Sequence, residues 1–324
     1  MSATGMIERP FKRSFKTWAF AVRAYAYPAS IVPVVVGSVY AVAEGGRTNA
    51  VPFNWAFFIL ALIAGMAYHT ACNLLNCYYD YKYGVDTEPT HGSGLLVSGA
   101  MTPREYLVAA WTCLGLGTAI GLYFVWHFWF AAERTYVLGW PILVIGLAGF
   151  LGAVFYTATP YSAKYNALGE PLVFLMMGAG MVLGAHFVQA GVLSWGAVWV
   201  SLPVGFMVAA ILQANDTRDI ADDRQSKIHT ASILLGPEGA RWYYAFLTLA
   251  PYATVVVLPL THVTGWTVLL PLLTLPLALK LTRLFFTVTA EKDARLLLTP
   301  SETAKMHLAF GLLLAFGVLL GRWV

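Results

Sequence analysis

The sequence predicts an all-α polytopic membrane protein, and three observations carry that class. Of its 324 residues 59% are hydrophobic and 11% charged, against roughly 25% charged in a soluble domain. The mean hydropathy is +0.67. Nine stretches meet the requirement of about 20 apolar residues per crossing: roughly 18–43, 53–79, 105–130, 136–157, 168–190, 194–214, 239–260, 264–287 and 303–322. No linker or low-complexity tract divides them, so residues 1–324 read as a single membrane domain.

The chain starts polar and basic, MSATGMIERPFKRSFK, with no cleavage signature near the first apolar run. The fourth stretch is the most interrupted, by Pro141 and several glycines. Cys72, Cys77 and Cys113 lie in or beside apolar runs and read as packing residues, since a zinc site needs closer Cys/His clustering. His69, His127, His186, His262 and His307 are scattered without metal-ligand spacing and also read as packed or interfacial. With the N-terminus inside, Arg47, Arg134 and Arg322 fall outside and the other 17 of the 20 Lys and Arg residues inside. Positive charge stays on the cytoplasmic side. The N-terminus and the loops 80–104, 158–167, 215–238 and 288–302 are therefore expected in the cytoplasm. The net charge of +4 follows from this topology and implies no nucleic-acid partner.

Two polar stretches close inward-running spans. The first, NLLNCYYDYKYGVD, covers Asn73 to Asp86. On a helix Asn73, Cys77 and Asp80 share a face, with Asn76 beside them. Ionisable groups are costly inside a membrane and mark function there, and the oxygens of Asp80 and Asp86 suit a divalent cation. The second, QANDTRDIADDR, covers residues 213–224. If its helix continues, Asp216, Asp219 and Asp223 share a face, as do Asn215, Asp219 and Asp223. One solvated helix end explains either stretch equally well. Two of them, both Asn-x-x-x-Asp and four spans apart, point to an internal repeat. Facing carboxylates repel unless cations neutralise them. Two acidic helix ends sharing Mg²⁺ is the physical reading, and Mg²⁺ favours a ligand with phosphate oxygens. Lys164, Arg218, Arg224 and Lys227 lie in these loops and either hold a phosphate or pair with the acids.

The stretches RAYAYPASIVPVVVG, NLLNCYYDYKYGVD, LVSGAMTPRE, YTATPYSAKYNALGEPLVFLMMG, GAHFVQAG and NDTRDIADDR with TASILLG cover most of the first 236 residues. On them the chain resembles the UbiA superfamily of intramembrane prenyltransferases. It is most similar to the 1,4-dihydroxy-2-naphthoate polyprenyltransferases of menaquinone synthesis. The resemblance implies nine transmembrane helices around a central cavity in a bacterial or archaeal cell membrane. It implies a polyprenyl diphosphate donor, an aromatic acceptor and Mg²⁺. Asn73, Asn76, Asp80 and Asp86 become the first motif, Asp216, Asp219 and Asp223 the second, and Lys164 a diphosphate contact. Asp80, Asp86, Asp216, Asp219 and Asp223 are then the metal ligands. Asn73, Asn76 and Lys164 then hold the donor; beside the resemblance, Arg218, Arg224 and Lys227 are expected to hold it from their place next to the acids, and Tyr156 to stabilise an allylic cation through its ring face. Cys77 departs from the family, where most members carry Asp.

Two other readings follow from the same residues. Hydroxybenzoate, haem and chlorophyll prenyltransferases differ in acceptor. A cation-coupled transporter also pairs polar helix breaks, but places them near the bilayer midplane rather than at helix ends.

Overall fold

The computed structural model describes residues 14–45, 52–87, 94–131, 139–226, 228–288 and 293–321. Eight helices are long and apolar enough to cross a membrane: α1 (Ala24–Gly45), α2 (Trp55–Lys82), α3 (Pro103–Phe130), α5 (Gly169–Ala190), α6 (Trp195–Arg218), α7 (Ala231–Leu260), α8 (Trp266–Thr287) and α9 (Ala294–Leu320). The expected fourth span exists as α4 (Trp140–Phe155), only 16 residues. At 1.5 Å per residue it spans about 24 Å, short of the roughly 30 Å hydrocarbon layer. The count of long spans is therefore eight among the described residues, with α4 as a shorter ninth helix. They contain no named strand, only an isolated bridge between Asn166 and His229.

Local signals set the helix starts. Asn54 accepts from the Phe57 amide and opens α2. Thr102 and Glu105 form a reciprocal capping box ahead of Pro103 and open α3. Ser194 accepts from the Ala197 amide and opens α6. α7 begins earlier than the expected residue 239. It bends at Gly236, whose φ of 70° is in the left-handed region, directly before Pro237. In α5 a π-helical stretch, Phe174–Gly180, interrupts the regular turn; such bulges recur at functional sites.

α1 is the central helix. Val32, Val36 and Tyr40 from it join Val182 of α5, Val204 and Met207 of α6, Val255 of α7 and Phe310 of α9 in one buried core. The other surface suits lipid: on α3, Val108, Trp111, Leu116 and Leu122 are exposed. Hydrophobic burial does not drive helices together in lipid, so close backbone approach must. Glycines provide it. A Cβ on Gly37 would run into the Val182 carbonyl across the α1–α5 seam, and one on Gly178 would run into the Gly205 backbone across α5–α6.

Gly37→Val should therefore lower stability by about 1–3 kcal/mol through overpacking, read by thermal or denaturant unfolding in detergent. Gly115→Ala is the matched control, because a Cβ there meets nothing within 4 Å. Equal melting of the two variants would contradict the seam.

Candidate active site

Where α2 and α6 end, a chamber of about 550 Å³ opens between them. Among the described residues six carboxylates line it: Asp80, Asp86, Asp216, Asp219, Asp222 and Asp223. Three cations of the described residues line it with them: Arg23, Lys164 and Arg218.

The first wall is the end of α2. Asn76 and Asp80 are both buried and lie one turn apart. The Asn76 amide donates to Asp80 Oδ2 at 2.8 Å and to Thr157 Oγ1 at 3.2 Å. After Lys82 the chain turns through Gly84 at φ 69°, and the Val85 amide donates back to the Asp80 carbonyl at 2.8 Å. This brings Asp86 to the same wall.

The loop after α4 completes Asp80's surroundings. Lys164 N donates to the Tyr156 carbonyl at 2.8 Å, Ser162 Oγ to the Thr157 carbonyl at 2.9 Å and Asn166 Nδ2 to the Tyr161 carbonyl at 2.9 Å. So braced, the loop puts Lys164 Nζ 2.8 Å from Asp80 Oδ2 and the Tyr165 hydroxyl 2.6 Å from Oδ1. Burial alone would lower the Lys164 ammonium, but Asp80, Asp223 and Asp86 outweigh it and hold it above its ordinary value. Burial first, and Asp80 second, push the Tyr165 phenol upward.

The second wall follows α6. The sequence suggested one continuous helix from Asn215 to Asp223, but α6 stops at Arg218. Asp219 takes φ −93°, ψ 6°, and a short helix, Ile220–Gln225, starts after it. The Asp223 amide still reaches the Asp219 carbonyl at 2.9 Å, so the acids stay on one side of a bend. The Arg218 guanidinium grips Asp219 with both Nε and Nη2 at 2.6 Å. Burial pushes the Asp223 carboxyl up to about 7. Lys164 pulls it down, and Asp219, Asp80 and Asp86 push it up. The two walls are tied together: Ser226 Oγ donates to the Val85 carbonyl at 2.8 Å, and the His229 amide to the Tyr165 carbonyl at 3.2 Å.

Of the residues expected at the site, Asn76, Asp80, Asp86, Tyr156, Lys164, Asp216, Arg218, Asp219 and Asp223 all line the chamber. Asn73 does not. Its amide is taken by the Val22 carbonyl at 3.1 Å, because that face of α2 packs on the chain just before α1. Arg224 is exposed on the short helix and does not line the chamber either. Lys227 lies outside the described residues.

Two residues enter that the motifs did not mark. Arg23, at φ 54°, sits in the break between the helix Phe15–Ala21 and α1 and lines the chamber. Its Nη2 reaches Cys77 Sγ at 3.5 Å. Glu170 is buried beside Asp216, the two carboxyl groups within hydrogen-bonding reach. Each is the only Asp, Glu, Lys or Arg in its apolar stretch, 18–43 and 168–190, and that isolation was the available signal.

Below the polar chamber a second, apolar one of about 160 Å³ lies among α2, α3, α4 and α5. Glycines form much of its wall: Gly65, Gly117, Gly121, Gly146, Gly149 and Gly152. Tyr156 lines both chambers. No three Asp, Glu, His or Cys side chains of the described residues converge on one point. The donor set is two facing rows of carboxylates, not a closed cage.

Known proteins resemble this chain along nearly its whole length. Residues 30–321 match the model of the UbiA prenyltransferase family. The UbiA prenyltransferase domain-containing protein 1 of Xenopus tropicalis is 32% identical over 313 residues, covering 96% of this chain and 84% of that one. The 1,4-dihydroxy-2-naphthoate octaprenyltransferase of Bacillus subtilis is 29% identical over 299 residues, covering 92% and 90%. Among solved structures, an apo UbiA homolog from Aeropyrum pernix K1 superposes with a TM-score of 0.63 at 18% identity, over 89% of this chain and 97% of that one. A UbiA homolog from Archaeoglobus fulgidus bound to GPP and Mg²⁺ superposes with a TM-score of 0.59 at 15% identity, over 94% and 99%. At these identities the two structures establish the fold.

The raised Asp223 carboxyl sets a pH dependence. Its ordinary value is 3.8 and its folded value about 7, so the folded protein binds this proton more tightly than the unfolded chain. The resulting stability is fully present below the ordinary value and is lost as pH rises through about 7. In chelator, the melting temperature should fall between pH 5 and pH 8. Asp223→Asn should flatten that fall, and an identical pH profile in the variant would contradict the assignment.

Proposed function

Because the chain belongs to the UbiA prenyltransferase family, we propose that it moves a polyprenyl group from polyprenyl diphosphate to 1,4-dihydroxy-2-naphthoate in menaquinone biosynthesis. The observation that carries the reaction type is the pair of chambers sharing Tyr156: one acidic and polar, the other apolar. A prenyl diphosphate has the same two-part character. The acceptor rests on similarity to the Bacillus subtilis enzyme, whose name gives that substrate.

The residues present fit Mg²⁺. That ion binds through one or two carboxylates, keeps several waters and completes its shell with substrate phosphates, so two facing rows suit it without a cage. Asp80 and Asp86 would hold it from one wall, Asp216, Asp219 and Asp223 from the other. When bound, Mg²⁺ neutralises the diphosphate and makes it a better leaving group.

The chain's own groups do the rest. Lys164, Arg218 and Arg23 line the same chamber as the acids and are, among the described residues, the cations available to the diphosphate oxygens. Lys164 and Arg218 must give up part of their pairing with Asp80 and Asp219 to reach them. Asn76 orients Asp80. Tyr156, where the two chambers meet, presents its ring where the allylic carbon develops positive charge. The glycine-lined chamber takes the isoprene chain and excludes water, which protects the cation from hydrolysis. The acceptor ring carbon that bears the carboxylate attacks C1 of the prenyl group, the C1–oxygen bond breaks and diphosphate leaves, and the carboxylate departs as CO₂, returning its bonding electrons to the ring.

Purified protein with polyprenyl diphosphate, Mg²⁺ and dihydroxynaphthoate should yield a prenylated naphthoquinol. Asp80→Asn and Asp219→Asn should each cut turnover by orders of magnitude, since each removes a charged oxygen donor. Full activity of either variant at low Mg²⁺ would contradict the ligand role. Product only from hydroxybenzoate or a tetrapyrrole would replace the acceptor and keep the reaction type.

We further place the acidic chamber on the cytoplasmic face, on the distribution of Lys and Arg between the loops. Ser226→Cys, in a variant lacking Cys72, Cys77 and Cys113, should resist an impermeant thiol reagent in intact cells and react after permeabilisation. Efficient labelling of intact cells would reverse the topology.

A further inference from the structure

The apolar chamber holds a polar atom that a prenyl chain leaves unmet. His69 lies on α2 in the chamber wall, buried. Its Nδ1 is 2.7 Å from Ser30 Oγ on α1, and its ring meets Tyr27 edge-on, with centroids 5.9 Å apart. These contacts fix the ring. The Ser30 hydroxyl has a second acceptor, the Tyr27 carbonyl, at the longer distance of 3.4 Å. Whichever of the two takes the hydroxyl proton, Nδ1 is engaged by Ser30, and Nε2 is the ring's other polar atom, a donor in one tautomer and an acceptor in the other. Nε2 has no hydrogen-bond partner among the described residues. On the same wall the Tyr68 hydroxyl is taken by Thr118 at 3.1 Å, and the Cys72 thiol is a weak donor.

A held, unpaired ring nitrogen facing an apolar space costs stability unless a ligand meets it. We propose that His69 is a specificity-determining residue that docks the aromatic acceptor through a hydrogen bond between Nε2 and a hydroxyl on its ring. This rests on the transferase reading above and adds where the second substrate sits. Asn76 and His69 are seven residues apart on α2, about 10 Å along the axis. A hydroxylated aromatic ring anchored at His69 therefore extends toward Tyr156 and the polar chamber, where the prenyl carbon is released. The prenyl chain takes the opposite wall. There Gly121, Gly146 and Gly149 leave open space, since a Cβ on any of them meets nothing within 4 Å. The simpler role for His69 is as a peg between α1 and α2 through Ser30, and the two roles separate in kinetics.

Steady-state rates are measured with each substrate varied in turn, and melting is followed in parallel. His69→Leu should raise the acceptor KM about tenfold, the loss of one hydrogen bond, and leave the prenyl diphosphate KM within about twofold. His69→Gln, whose amide can donate or accept, should recover most of that loss. Ser30→Ala, which frees the ring, should raise the acceptor KM about threefold. An acceptor KM in His69→Leu within about twofold of wild type overturns the assignment, as does an equal loss in the Leu and Gln variants with lowered melting temperatures. If His69→Leu does not fold, Ser30→Ala decides, and an unchanged acceptor KM there overturns the assignment. Wild-type protein that prenylates no aromatic acceptor contradicts the transferase reading itself.

Discussion

Charge imbalance at the chamber mouth is the constraint on which the rest of the structure depends. Among the described residues six carboxylates and three cations share one cavity, and partial burial removes much of the water that would screen them. The protein copes in three visible ways. Asp80 is given three donors, from Asn76, Lys164 and Tyr165. Asp219 is clamped by Arg218. Asp223 holds its proton up to about 7. Each is a substitute for positive charge. A bound divalent cation would supply that charge directly, and would let Lys164 and Arg218 turn to an anionic ligand.

The fold serves this arrangement. Helix ends bring the acids together, so the acids sit where water and a soluble metal can reach them. Below them the bundle is spread by glycines and by the π-helical stretch of α5, which leaves an apolar space instead of a packed core. Tyr156 marks the junction, and the backbone bond from Lys164 N to the Tyr156 carbonyl makes the loop that carries the cation part of the same structure. A cleavage at this junction separates a polar leaving group from an apolar product without moving either far.

Much of this was legible in the sequence because membrane physics writes large signals. Apolar stretches of about 20 residues mark the spans, and Asp80, Asp86, Asp216, Asp219 and Asp223 stood out because carboxylates beside such runs are expensive. The misses have local causes. Asn73 shares a helical face with Asp80, but periodicity does not reveal that the Val22 carbonyl would take its amide. The bend at Asp219 was hidden because nothing in DTRDIADD breaks a helix by composition. Arg23 and Glu170 carried a signal, each a lone charge in an apolar stretch, that motif spacing alone passes over. His69 read as a packed residue, since only the three-dimensional arrangement shows Ser30 on one ring nitrogen and no partner among the described residues on the other.

On the proposed function, metal and diphosphate complete one another between the two acidic walls. Calorimetric titration of purified wild-type protein with a non-hydrolysable prenyl diphosphate analogue, with Mg²⁺ and again in chelator, tests it most directly. Binding should tighten by at least about tenfold with Mg²⁺, and Asp80→Asn together with Asp219→Asn should erase that gain. Equal affinity with and without Mg²⁺ in the wild-type protein would contradict it.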